Sequence, residues 1–301
     1  MKKVKVTVPA STTNLGSGFD CLGLALTLYN TIEMEFSGEK ELVIEVEGEG
    51  KESIPRDETN IIFPAIKMVF DRVKAKPFGL KIKEVNSIPL SRGLGSSAAT
   101  RIGGLVGATL LLGLSLSREE ILKMAIELEG HPDNVAASLL GGFVAVAEVE
   151  KKPLWVKLKV PDNLKVVVAV PDRGILTEKA RKILPQKIPF QDALFNLSRV
   201  ALLVPSLSQG LWNNLVFGTQ DRLHQPYRSA LLPGMMDVFE AALHAGAKGV
   251  FLSGAGSSIA ALTLNDEKKI GQAMQKAFSE KGLKSRFMIL SVDNQGVKIN
   301  E

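Results

Sequence analysis

Twelve consecutive residues, Pro89, Leu90, Ser91, Arg92, Gly93, Leu94, Gly95, Ser96, Ser97, Ala98, Ala99 and Thr100, have the types that suit a polyphosphate. Two glycines let the backbone turn where a Cβ would obstruct it. Two serines supply hydroxyls, and the chain then enters a helix whose first N–H groups lack internal partners. Unpaired amides and the positive end of a helix dipole converge there on one anion. The plainer alternative, a glycine turn with a serine N-cap, is common. The helix expected over 98–112 favours the anchor: it holds Gly103, Gly104 and Gly107, and Arg101 is its only charge. Each interior glycine costs about 1 kcal/mol, so close backbone packing is the expected compensation and the helix should be central and buried.

Two further polar glycine segments could join this loop: 10–20, with Asn14 and Asp20, and 253–258. Segment 129–135 adds Glu129, His131, Asp133 and Asn134. An ATP-dependent kinase needs a phosphate cradle, a Mg²⁺ site and a pocket that holds the acceptor hydroxyl in line. Because Mg²⁺ takes few protein oxygens, Ser97 with Glu129 would be an economical pair. Other chemistries lack their residues. The sequence has no Walker Gly-Lys-Ser/Thr triplet, no G-x-G-x-x-G and no G-x-S-x-G. His131, His224 and His244 have no cysteine or spaced histidine partners for zinc, so each reads as structural or exposed.

The elements that must position these residues follow from periodicity. Alternation predicts a strand over 3–8 that stops at Pro9, and then a polar loop over 10–20. Strands over 22–36 and 41–46 are separated by a Ser37–Gly38 turn; a helix over 60–74 and a strand over 79–85 lead to the central loop. Ser117 with Glu120 resembles a capping box opening a helix to Glu129, and a strand follows over 143–149. The charged, proline-containing stretch 150–153 is the candidate boundary, dividing 1–152 from 153–301. Beyond it, strands are expected over 154–160, 164–170, 250–252, 259–264 and 287–292. Helices are expected over 177–183, 192–203, 211–219, 235–245 and 266–281.

Composition narrows the class. A chain of 301 residues, 45% hydrophobic and 23% charged, can bury a full core. The net charge of +5 is scattered without a basic block, which favours a solvated surface over nucleic-acid binding and suits an anionic small substrate. Cys21 is alone, which points to a reducing compartment and a packing role for its thiol. The most apolar run, 102–116, is shorter than the ~20 residues of a membrane span, so a cytoplasmic protein without a membrane partner is expected.

Taken in order, the segments at 9–20, 89–99 and 253–258 resemble the three motifs of the GHMP kinase superfamily, across the whole chain. Pro9 to Asp20, His131 to Ala136, Gln225 to Arg228 and Leu231 to Gly234 are similar to the branch whose acceptor is L-homoserine. The resemblance implies an α+β fold with an N-terminal domain like ribosomal protein S5 domain 2 and a C-terminal ferredoxin-like domain, the site lying between them. It implies transfer of the γ-phosphate of ATP to a hydroxyl with Mg²⁺, and leaves room for a homodimer. By position, Pro89 to Ala99 would bind ATP, Gly93, Gly95, Ser96 and Ser97 wrapping its phosphates, with Asn60 near adenine and Ser97 and Glu129 beside the metal. Gly254 to Ser257 would support that loop. Asp20 would take the substrate ammonium, Arg181 and Arg228 its carboxylate, and Asn134 its hydroxyl, with Asn14, His131 and Thr177 close by. Solvated arginines, and loop capping by Asp20 and Asn134, are the plainer alternatives.

The sequence departs from the family pattern at Arg92, which stands where a small residue is common and could touch phosphate or project into water. It departs again at Ser257–Ser258, where a more mobile loop is expected. A loose phosphoryl-transfer transition state needs no strong base, so Asn134 is expected to hold the hydroxyl, and Asp133 is the rival base. A mevalonate-type or sugar kinase, and a non-catalytic protein on the same fold, remain the alternatives.

Overall fold

The computed structural model describes residues 3–37, 41–77 and 79–300. Strands β1 (Lys3–Asn14) and β2 (Gly18–Phe36) form an antiparallel pair. β1 does not stop at Pro9. Its pairing with the short strand β11 (Lys298–Asn300) ends at Thr7, and its register with β2 shifts between Pro9 and Ala10. A residue without an N–H is tolerated at such an irregularity. Residues 10–14, expected as loop, are therefore strand, and Ser11, Thr12 and Thr13 are buried. Of the Ser37–Gly38 turn, Gly38 lies outside the described residues.

Next come β3 (Val43–Gly48), α1 (Ile62–Arg72) and β4 (Leu80–Asn86), with β3 parallel to β4. The central loop opens α2 (Ser96–Leu111), which is followed by α3 (Arg118–Glu129), α4 (Asp133–Leu140), β5 (Phe143–Val149) and β6 (Lys152–Leu158). β2 serves two neighbours along its length. Residues 30–36 pair with β4 and residues 22–24 with β5, giving a seven-stranded sheet. As the glycine content of α2 predicts, a Cβ on Gly103 would lie 2.5 Å from Ile32 of β2, and one on Gly107 would lie 2.9 Å from Met34. The expected capping box at Ser117 is formed in both directions. α4 was not expected, because its eight residues are nearly all buried and show no polar face.

Of the 150–153 stretch, residues 150–151 are the turn between β5 and β6 and residues 152–153 open β6, both strands lying in the first sheet. The chain enters the second sheet only at β7 (Lys165–Pro171), so we divide the two units between Leu158 and Lys165. The second sheet adds β8 (Gly249–Leu252), β9 (Ile259–Thr263) and β10 (Ser285–Ser291). Its spatial order runs fourth, first, third, second, all antiparallel, with α9 (Met235–His244) and α10 (Glu267–Glu280) as crossovers: the ferredoxin-like pattern. Between β7 and α9 the chain forms α5 (Thr177–Lys182), α6 (Phe190–Gln209), α7 (Leu215–Gly218) and α8 (Gln225–Arg228). α6 continues through Pro205 beyond the expected end at 203, because Leu203 and Leu207 are both buried and hold its last turns. After β10 the chain returns to the first sheet, where Asp293 accepts hydrogen bonds from Tyr29 Oη (2.7 Å) and Lys298 Nζ (2.9 Å). No helix among the described residues is long and apolar enough to cross a membrane.

Candidate active site

The three glycine segments meet in one cleft of about 130 Å³ between the two units. On one wall the backbone turns through Ser91, Gly93 and Gly95, all with positive φ, into α2. A Cβ on Gly93 would lie 1.9 Å from the Ser253 carbonyl oxygen, and one on Gly95 would lie 2.1 Å from Ser11 Oγ, so both positions require glycine. The third segment clamps this loop. Ser253 Oγ donates to the Gly93 carbonyl (2.6 Å), and the Ser258 N–H donates to the Arg92 carbonyl (3.1 Å). Ser257 and Ser258 are fully buried, and Ser257 Oγ bonds the Arg173 carbonyl, so the departure from the family pattern has produced a tied segment rather than a loose one. α2 has no acidic residue in its first turn, leaving its N–H groups and dipole available to an anion.

Arg92 neither projects into water nor reaches across the cleft with a free guanidinium. Its Nε donates to the Pro171 carbonyl (2.8 Å), Nη1 to Leu90 (3.0 Å) and Nη2 to Asp172 (2.6 Å), which fastens the loop to the end of β7.

The opposite wall is built from side chains. Asp20, at φ +58°, accepts two bonds from Arg181 of α5, at 2.9 and 2.7 Å. Asn14 shapes the turn before it by accepting from the Asp20 N–H (3.0 Å) and donating to the Gly254 carbonyl (2.9 Å). Arg228, on α8, is 2% exposed, and among the described residues no carboxylate lies within salt-bridge distance of it. Burial first, then the like charge of Arg181, pulls its pKa down to about 10, so it remains a cation. A buried cation without a partner is costly; one facing a cleft is set up for an anionic ligand.

At the floor, Asn134 Oδ1 accepts from Ser11 Oγ (2.9 Å) and its amide nitrogen donates to Thr13 Oγ1 (3.3 Å). Asp133 is buried at the start of α4. Its Oδ1 is 2.9 Å from His131 Nδ1 and accepts from the Asn134 N–H (2.8 Å). Burial would raise this carboxyl, but the His131 and Asn134 contacts prevail and hold it below the ordinary range. Ser97 Oγ donates to Glu129 Oε2 (3.0 Å), and Arg101 Nη1 bonds the same oxygen.

The cleft thus gathers Asn14, Asp20, Pro89, Ser91 to Ser97, Glu129, His131, Asp133, Asn134, Thr177, Arg181 and Arg228. Ala98 and Ala99 are buried behind it, and Leu90 lines a neighbouring hollow instead. Asn60 lies apart, fully buried at the start of α1, where its amide donates to Glu84 Oε1 (2.6 Å) and the Pro55 carbonyl (2.9 Å). Burial is the main cause raising the pKa of the Glu84 carboxyl. Cys21 is half-buried, and burial pushes its thiol up to about 11. Phe19, His224, Arg101, Ser11 and Thr13 contact these residues and stand outside the expected site set. Arg101 had a signal: a lone charge in an apolar helix, four residues after Ser97 and so on the same face.

Ser97 and Glu129 place two oxygens at the mouth of the phosphate loop, hard donors of the kind Mg²⁺ takes.

Residues 60–142 match the family described as GHMP kinases N terminal domain, and residues 203–280 match GHMP kinases C terminal. Together they span more than half the chain. The chain belongs to the GHMP kinases. Among curated members of this family it is 46% identical to the homoserine kinase of Caldicellulosiruptor bescii, over 98% of this chain and 96% of that protein. It is 40% identical to the homoserine kinase of Aquifex aeolicus, over 98% and 99%. The crystal structure of homoserine kinase from Cytophaga hutchinsonii superposes with a TM-score of 0.90 at 35% identity, covering 100% of this chain and 98% of that one. A mevalonate kinase superposes at 0.72 with 18% identity and shares the GHMP kinase fold. ATP is accordingly the phosphoryl donor of this GHMP kinase.

Proposed function

We propose that this GHMP kinase transfers the γ-phosphate of ATP to the hydroxyl of L-homoserine, giving O-phospho-L-homoserine and ADP, a step toward threonine. The observation that carries the choice of acceptor is the side-chain wall that holds Arg228. A buried guanidinium without a salt-bridge partner suits a carboxylate, and Asp20 suits an ammonium, so the cleft is complementary to an amino acid. Mevalonate and sugars have no ammonium to offer Asp20 in exchange for Arg181. The lone Cys21 is in keeping with a cytoplasmic enzyme.

Asp20 and Arg181 neutralise each other on the side-chain wall, and a zwitterion can replace that pair by offering one charge to each. Arg228 then shares the carboxylate. This fixes the substrate's far end and leaves the γ-hydroxyl beside Asn134. The loop from Ser91 to Ser97 and the N-terminus of α2 hold the β- and γ-phosphates with backbone N–H groups. Ser97 and Glu129 would hold Mg²⁺, which neutralises charge on the phosphate oxygens when bound. The substrate oxygen forms a bond to the γ-phosphorus as the bond to the β,γ-bridging oxygen breaks, and ADP departs. The hydroxyl proton leaves late, to the transferred phosphate or to solvent. Asp133 is poorly suited to take it, since the contacts that hold the carboxyl ionised also weaken it as a base.

A coupled ADP-release assay with L-homoserine, mevalonate and several sugars tests the acceptor, with L-homoserine expected to turn over alone. Robust turnover of mevalonate but not homoserine would sink the proposal. For the base, Asp133→Asn is expected to keep kcat within about tenfold of the parent, whereas loss of a general base costs 10²–10⁴-fold.

A further inference from the structure

Behind the guanidinium of Arg228 stands a histidine that the reaction above does not use. His224 is fully buried, four residues before Arg228, and its ring stacks on Phe19 at 5.0 Å with 24° between the planes. Nε2 lies 2.8 Å from the Gly16 carbonyl oxygen, which can only accept, so Nε2 carries the ring proton. In the neutral ring Nδ1 is then a bare lone pair, and it lies 3.3 Å from Arg228 Nη1. Both carboxylate oxygens of Asp221, the nearest acid to His224, are already engaged by backbone N–H groups of residues 223–225.

Arg228 is held at three points. Nε donates to the Ala180 carbonyl (3.1 Å), and Nη1 donates to the Gly254 carbonyl (3.0 Å) and to His224. Nη2 has no hydrogen bond among the described residues, and the side chain lines the cleft. Every group that holds the guanidinium is neutral. A carboxylate in the place of His224 would orient Arg228 equally well, but it would cancel the charge and compete with an incoming anion. An imidazole with its proton directed at Gly16 orients the cation without adding a negative charge of its own. Burial, which pushes the ring pKa down to about 4, keeps it in the accepting form.

We infer that His224 is a positioning residue for the acceptor: it fixes the rotation of Arg228 so that Nη2 faces the cleft with no carboxylate bound directly to it. Through Gly16 it also ties that orientation to the turn carrying Asn14 and Asp20. The inference rests on the reading of Arg228 as the carboxylate contact.

Two amides separate the ring's functions. In His224→Asn the amide oxygen can stand near the Nδ1 position and still accept from Arg228. In His224→Gln the amide nitrogen can stand near the Nε2 position, keeping the Gly16 bond and losing the acceptor. Removing one partner of a charged hydrogen bond costs roughly ten- to a hundredfold in affinity. His224→Gln should therefore raise the homoserine KM at least about tenfold, with the ATP KM and kcat within about threefold, whereas His224→Asn stays within about threefold throughout. A second readout uses 3-aminopropan-1-ol, homoserine without its carboxylate, as a competitive inhibitor; its Ki should be unchanged in His224→Gln. Equal KM increases in both variants, or a Ki that rises with the homoserine KM, would overturn the inference, as would kinetic losses that simply follow Tm. Arg228→Ala run alongside separates the two levels. If it leaves the homoserine KM unchanged, the carboxylate reading fails. If it raises that KM while His224→Gln is silent, only the role of His224 fails.

Discussion

The two walls of the cleft are made of different material. The phosphate wall is backbone: glycines at positive φ, carbonyls gripped by Ser253 and Arg92, and the open end of α2. The acceptor wall is charged side chain: Asp20, Arg181 and Arg228, delivered by three separate segments. A triphosphate is the same in every ATP-dependent enzyme, and amides from one contiguous loop suffice for it. An acceptor must be told from its competitors, which requires charges of chosen sign at fixed separations. Substitutions on the two walls should therefore fail differently.

The largest effect is expected on the acceptor wall. Arg228→Ala should lower kcat/KM for homoserine by about 10²–10³, in line with the loss of a buried charge-assisted contact, while the ATP KM stays within about twofold. Equal loss for both substrates in steady-state kinetics would erase the distinction between the walls. Gly93→Ala comes next. Its Cβ would collide with the Ser253 carbonyl and its φ of +72° is strained for alanine, so about 10–10² should be lost in kcat/KM for ATP. Because Ser253 belongs to the segment beneath both walls, a smaller rise in the homoserine KM should accompany it.

Protonation gives a third, thermodynamic contrast. The folded-state pKa of His224, about 4, lies below the ordinary 6.5, so between those values the unfolded chain binds the extra proton. The stability this ring contributes is whole above pH 6.5 and is lost as the pH falls toward 4, by about 2–3 kcal/mol. Denaturant melts of the parent and His224→Asn across pH 4–7 should show this component of the acid slope only in the parent. The smallest effect belongs to Arg92→Gln. Loss of its bonds to the carbonyls of Pro171 and Asp172 should cost about 1 kcal/mol, a few degrees in Tm, with kcat nearly intact. A collapse of ATP affinity instead would mean that Arg92 works on the phosphates.

What the sequence disclosed divides along the same line. The loop around Gly93 and Gly95, the buried glycine-rich α2 and the capping box at Ser117 are local features, written in adjacent residues, and all could be read directly. The pairing of Asp20 with Arg181, the seclusion of Arg228 and its hold by His224 depend on segments far apart in the chain, and only the family resemblance pointed to the charged residues. α8 is four residues long and has no period to read. His224 lacked metal partners and so looked structural; its spacing of four from Arg228 was the available clue. Residues 10–14 were misjudged because serine and threonine read as loop, whereas their hydroxyls are spent across the cleft on Asn134 and Ser253.

The meeting of β11 with β1 bears on how the molecule is assembled. Lys5 lies opposite Asn300, so one margin of the larger sheet is finished by residues made almost a whole chain length after its first strand. Bringing such distant partners together has a high entropic cost. During synthesis the margin of β1 from Lys5 to Thr7 therefore waits uncovered, behaving as an open seam until residues 298–300 arrive to close it.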